Sequence, residues 1–164
     1  MRHGIGEASM TTQTDQASQN TLDLARRWID RLSNQDIQGL DAILSDDHVY
    51  CAMWCNPPEY RTRYSKQRFF KEIADWQPIM KVPVTMKIIS EYAHGDRAFL
   101  ETESHGVLHD GYVYANAYSF HFWMRNGKIT EIHDYCCTYT ARLLEEHLRS
   151  AFPGDNLFDE LDKP

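Results

Sequence analysis

The period of the apolar residues changes once along this chain, and that change constrains the fold more than any other feature. Before Pro78 they recur at helical spacing, and from Val82 onward they alternate every second residue. Leu22, Ala25, Trp28, Ile29 and Leu32 form one helical stripe, with Asn20 or Thr21 as its N-cap. A second short helix starts at Asp36 and buries Ile37, Leu40, Ile43 and Leu44. "HVYCAMW" then reads as a strand and "NPPEYRTRY" as a loop or edge excursion. Ser65 caps a third helix carrying Phe69, Phe70, Ile73 and Trp76, which stops near Pro78.

Four strands follow: "VPVTMKIISEYA", "RAFLETESHGVL", "YVYANAYSFHFWM" and "KITEIHDYCC". The turns "HGD", "HDG" and "RNG" separate them, as in an antiparallel meander. A last amphipathic helix, "TARLLEEHLRSAF", ends at Pro153-Gly154. Helices first and sheet afterwards is an α+β order. The expected fold is a curved antiparallel β-sheet wrapped around the N-terminal helices to form a cone-shaped pocket. Residues 1–20 are polar and aperiodic and read as a flexible lead-in, with Met10 as an alternative start. Residues 21–152 make one domain, and 153–164 an acidic, mobile tail.

A formal net charge of −7 argues against nucleic acid as a partner. Neither a membrane-length apolar run nor a signal-peptide core is present, so a cytoplasmic protein is expected. Cys51, Cys55, Cys136 and Cys137 do not follow a recognisable ligand spacing, so buried thiols are expected rather than a metal site. No Walker, Rossmann or nucleophile-elbow pattern occurs, and the reading calls for no cofactor.

The candidate chemistry lies on the strands. Thr130, Ile132, Asp134 and Cys136 share one face of the last strand, opposite Ile129, Glu131, His133 and Tyr135. A carboxylate between Ile132 and Cys136 is either hydrogen-bonded structure or a group whose pKa is set for acid/base work. Tyr112, Tyr114, Asn116, Tyr118, Phe120 and Phe122 form one large aromatic face, which is either core or pocket wall. On the preceding strand Phe99, Glu101, Glu103, His105 and Val107 share a face. Placed inward, His105 with Glu103 or Glu101 makes an imidazole–carboxylate pair; placed outward, it belongs to a dimer face. The inward register is the expectation. His121 and His133 are expected to point away from the pocket, and His48 and His94 to be solvated.

The words "GDRAFLETESHG", "YANAYSFHF", "NGKITEIHDY" and the terminal T-x-x-A-R-L-L resemble the nuclear-transport-factor-2-like superfamily, within it the SnoaL-like and ketosteroid-isomerase-related proteins. The resemblance covers Thr21 to Leu148. It implies the cone fold and either a small-molecule enzyme or a non-catalytic ligand-binding or dimeric assembly module. Against the isomerases' pattern, Trp28 falls at their tyrosine and Ala52 at their aspartate, so that mechanism is not expected. Against the limonene-epoxide-hydrolase pattern, Tyr50 and Asp134 match. Glu101 and Glu103 fall where an arginine and an aspartate belong, so epoxide hydrolysis is not expected either. The polyketide cyclases of the SnoaL-like group fit best.

The resulting expectation is proton-transfer chemistry on a hydrophobic oxygenated molecule: cyclisation, isomerisation, dehydration or hydration. Asp134, His105 and Tyr50 are the catalytic candidates. Asn116, Tyr118, Glu103, Glu101, Trp28, Phe120 and Cys136 are the candidates for substrate contact. A homodimer through the sheet is the expected assembly.

Overall fold

The protein is described from a computed structural model, over residues 8–54 and 61–151, with side chains from residue 16 on. The first helix, α1 (Ala8–Ser33), presents Leu24, Ala25, Trp28 and Ile29 as its buried stripe. It begins well before the apolar stripe, so the expected flexible lead-in is corrected from Ala8 onward; residues 1–7 and the expected acidic tail lie outside the described residues. In α2 (Ile37–Ile43), Asp36 is the N-cap, accepting from the Gly39 N–H at 2.8 Å. Strands β1 (Leu44–Ala52) and β2 (Thr62–Ser65) follow, then α3 (Lys66–Trp76), capped by Ser65, which accepts from the Arg68 N–H at 3.3 Å. A 3-10 turn over Gln77–Ile79 leads into β3 (Met80–His94), β4 (Arg97–Leu108), β5 (Val113–Arg125), β6 (Lys128–Cys136) and α4 (Thr138–Ala151).

The six strands form one sheet in the order β2-β1-β6-β5-β4-β3. Every neighbouring pair is antiparallel except β1 with β6, which run parallel and close the meander onto the first strand. This is the expected α+β fold, with a curved, mainly antiparallel sheet around helices. At the two-residue turn Asn126-Gly127 both residues have positive φ (53° and 71°), the backbone a type I′ hairpin requires.

The inner face of the sheet is fitted by size. Opposite the large β5 residues Phe122, Phe120, Tyr118, Asn116 and Tyr114 stand the small or slim β4 residues Ala98, Leu100, Thr102, Ser104 and Gly106. Phe120 and Phe122 meet the edge of Trp28 at 5.1 and 5.4 Å between ring centroids. Two apolar clusters result. The first joins α1, α2 and α3 to the middle of the sheet; the second joins Ile79, Met80, Leu108 and Tyr114 to Leu144 and Leu148 of α4.

Two expectations of face are overturned. A bulge at Thr130 shifts the β5–β6 register, pairing Trp123 with Glu131 but Met124 with Ile129. Ile129 therefore turns inward and is fully buried, whereas Thr130 spends its hydroxyl on the Trp123 carbonyl at 3.2 Å. His48, expected to be solvated, is 2% exposed and lies edge-on to Phe69. Burial pushes its imidazole down to about 4, so it is neutral at ordinary pH.

Candidate functional site

A cavity of about 280 Å³ opens where the two apolar clusters meet. Strands β1, β2, β5 and β6 form one side; α3, α4 and the end of α1 form the other. Its wall is mostly aromatic and apolar, including Tyr50, Trp54, Tyr64, Phe69, Trp76 and Leu144. Among the described residues, Asp134, Glu72 and Glu145 are the carboxyl groups that reach it.

Asp134 occupies the sheet side. The Tyr50 hydroxyl donates to its Oδ2 at 2.6 Å, while Oδ1 is buried without a hydrogen-bond partner among the described residues. β-Strand pairing fixes this contact: Tyr50 on β1 lies beside Ile132 of β6, and both Tyr50 and Asp134 turn to the same face. The residue is 8% exposed. Desolvation raises its carboxyl to about 7, and the Tyr50 hydrogen bond lowers it by less. Burial also drives Tyr50 well above its usual range, so its proton stays on the phenol. Tyr50 is held from behind by Phe69 at 4.7 Å and by Tyr64, stacked at 6.2 Å and nearly parallel.

A second polar group sits on β5. The Asn116 side-chain amide donates to the Tyr114 hydroxyl at 3.0 Å and to the Cys137 carbonyl at 3.3 Å, and its oxygen accepts from the Ala117 N–H at 2.8 Å. Its hydrogen bonds are thus made inside the protein, and Asn116 is absent from the cavity wall. Tyr114 and Tyr118 share a 2.5 Å contact between hydroxyls, and both rings do line the cavity. The Cys136 thiol also lines it and is pushed up to about 12, chiefly by burial, which keeps it protonated.

Asp134, Tyr50, Tyr118 and Cys136 are therefore brought together in one cavity. The others separate from it. Trp28 and Phe120 are packed in the core rather than on the cavity wall. Glu101, Glu103 and His105 are exposed on the outer face of β4, which corrects the expected inward register. The physical reason is the size fit with β5: the cone interior takes the small β4 face, leaving Phe99 and its charged neighbours outside. His121 and His133 point outward as expected, against Phe99 and Trp123 respectively.

Glu72, Tyr64 and Glu145 were not anticipated as site residues. Glu72 is paired with Arg68 at 2.7 Å, yet desolvation still raises its carboxyl above the usual value. For the two glutamates the helical position carried one usable signal: Glu72 follows Phe69 by three, and Glu145 follows Ala141 by four and precedes Leu148 by three, on the border of each apolar stripe.

One group of possible metal ligands converges among the described residues: Cys51, Glu131 and His133 on the outer face, with ligand atoms within 4.8 Å of one another. The Glu131 carboxylate there is already engaged by His133 at 2.9 Å and Arg63 at 3.5 Å, a hydrogen-bonded ion-pair network. No helix among the described residues is long and apolar enough to cross a membrane.

The sequence pattern of the SnoaL-like domain family matches residues 25–132. No curated protein sequence matches the chain. Among solved structures, PrhC from Penicillium brasilianum is similar at TM-score 0.78 and 13% identity, covering 87% of this chain and 97% of that one. An LEH-like epoxide hydrolase from M. tuberculosis is similar at TM-score 0.64 and 21% identity (84% and 98% covered). A polyketide cyclase described as such from Xanthomonas campestris is similar at TM-score 0.65 and 18% identity (75% and 94% covered). At these identities the likenesses establish the fold and leave the chemistry to the residues.

Proposed function

The chain belongs to the SnoaL-like domain family, and from that premise we propose that it is a small-molecule enzyme using acid/base chemistry on a hydrophobic, oxygenated substrate. One observation carries the reading: a carboxyl group in an apolar cavity, with one oxygen fixed by Tyr50 and the other unpartnered. With a pKa near 7, Asp134 holds or releases a proton at neutral pH with little driving force either way. Its neutral form donates to a carbonyl or leaving oxygen; its anionic form takes a proton from a carbon next to that carbonyl. Tyr50 positions the carboxyl. Tyr114 accepts from Asn116 and shares a hydroxyl contact with Tyr118; with Tyr114 as the donor of that contact, the Tyr118 proton is free for a developing oxyanion. Cyclisation, isomerisation, dehydration and hydration all use this set for their proton transfers, with water released in the third and consumed in the fourth.

A non-catalytic ligand-binding role is the second reading, and the position of His105 favours it: the expected imidazole–carboxylate pair does not form in the cavity. Solvent-deuterium exchange separates the two. Cyclic ketones incubated with the protein in D2O should lose the proton next to the carbonyl, by proton NMR, at a rate that Asp134→Asn abolishes. Ketones that bind without any Asp134-dependent exchange would transfer the case to the binding role.

The assembly expected from the sequence is proposed on the outer face of β3–β6. Ile89, Tyr92, Phe99 and Tyr135 are exposed there, an apolar surface that a second copy of the chain would cover. Light scattering on the protein and on Phe99→Glu tests it: a dimer that the substitution splits is expected, and a monomeric parent protein refutes it.

A further inference from the structure

Three carboxyl groups and seven aromatic rings line the cavity, and among its described lining residues there is no lysine, arginine or histidine. Glu72 and Glu145 come from the helices, each braced by an arginine one turn away: Arg68 at 2.7 Å and Arg149 at 2.9 Å. Neither arginine is part of the wall. The two glutamate side chains are only 25% and 14% exposed, so their charge lies in a weakly screened setting. Arg68 does not offset the burial of Glu72, whose carboxyl stays above its usual value. On the sheet side, the buried Asp134 Oδ1 adds an acceptor that no described residue fills.

Such a wall favours a cation over a neutral molecule of the same shape. Ring faces attract a positive charge, and more strongly once it is desolvated. Carboxylates already partly stripped of water add charge-assisted hydrogen bonds or ion pairing. A neutral ligand gains the apolar burial alone.

We infer that the ligand of this cavity carries a basic nitrogen: it is a hydrophobic amine, protonated in water, whose ammonium lies against Glu72, Glu145 and the ring of Trp76, the Tyr64 ring being already covered by Arg68 at 5.8 Å. Its oxygen-bearing part then reaches Asp134 and Tyr50. The inference rests on the proposed small-molecule site and names its ligand class. Size permits it, since an apolar cavity of about 150 Å³ already accepts benzene, and this one, at about 280 Å³, has room for a ring with a branched ammonium head.

The test uses two probes of one shape, benzyltrimethylammonium and its carbon isostere neopentylbenzene, titrated against tryptophan fluorescence of the full chain. The wild type should bind the cation at least tenfold more tightly. The Glu72→Gln/Glu145→Gln double variant should bind the two probes within about twofold of each other, and its retained affinity for neopentylbenzene shows that the cavity is still folded. Equal or tighter binding of the neutral probe by the wild type overturns the amine inference and leaves the small-molecule site standing. Failure of both probes also overturns it; if ketones then produce no Asp134-dependent exchange either, the proposed function falls with it.

Discussion

Glu131 and Asp134 lie three residues apart on β6, point to opposite faces of the sheet, and become opposite kinds of acid. Glu131 faces outward, where His133 donates to it at 2.9 Å and Arg63 stands at 3.5 Å; these contacts hold its carboxyl below the ordinary range. Asp134 faces inward, has only the Tyr50 hydroxyl among the described residues, and is lifted to about 7. Distance along the chain decides nothing here. What decides is the balance between lost water and gained donors, and on the inner face the loss is larger. A surface carboxylate that is fully engaged cannot serve a ligand; the starved one inside can.

Removing the inner acid should have the largest effect. Folding raises the Asp134 pKa from 3.8 to about 7, so between those pH values the native state holds a proton that the unfolded chain has released. Stability from this group is greatest below pH about 4 and falls as pH rises to about 7, by on the order of 4 kcal/mol. His48 works in the opposite direction. Its pKa drops from 6.5 to about 4 on folding, so its contribution is present above about 6.5 and is lost as pH falls through about 4. The two slopes oppose each other between pH about 4 and 6.5. Urea midpoints of the wild type should therefore change little across that window, fall by a small step as pH passes from about 6.5 through 7, and then level off. In Asp134→Asn they should rise with pH across the window and then level off.

Tyr50→Phe comes next. It deletes the Tyr50 hydrogen bond to Asp134, which should move the Asp134 midpoint above its wild-type value and cost about 1–2 kcal/mol in denaturant unfolding at pH 8. An unchanged midpoint would mean that the 2.6 Å contact does not bias the carboxyl. Glu131→Gln should cost under about 1 kcal/mol at pH 7, because half-exposed ion pairs contribute little. The lowered Glu131 pKa makes that cost vanish as pH falls below its titration, and added salt should shrink it. Smallest of all, His105→Ala should leave ligand binding and the Asp134 midpoint unchanged within error. A clear shift in either would return His105 to the site.

The contrast between the faces also marks what could be read from the chain. The caps at Asp36 and Ser65, the helical stripe of α1 and the inward set on β5 follow from local spacing, and the structure places them as the spacing requires. Asp134 beside Tyr50 was legible because strand parity and the fold resemblance both point inward. The β4 register was not. Period two splits that strand into two faces without saying which is inner, and the Phe99 face with its larger side chains belongs outside because β5 supplies the bulk within. The bulge at Thr130 and the burial of His48 depend on neighbours brought in from β5 and α3, which no local window contains. Glu72 and Glu145 sit among helical charges that read as solvated until α3 and α4 are folded over the cavity mouth.

Strand β6 thus carries one carboxyl kept near neutrality inside the cone and another kept ionised outside it. Carbon-13 NMR of the side-chain carboxyls, followed from pH 3 to 9, tests this most directly. An Asp134 midpoint near 7 that moves when an oxygenated ligand enters the cavity is expected, with Glu131 titrating below the ordinary glutamate range in the same sample. An Asp134 midpoint near 4, indifferent to every ligand, would contradict it.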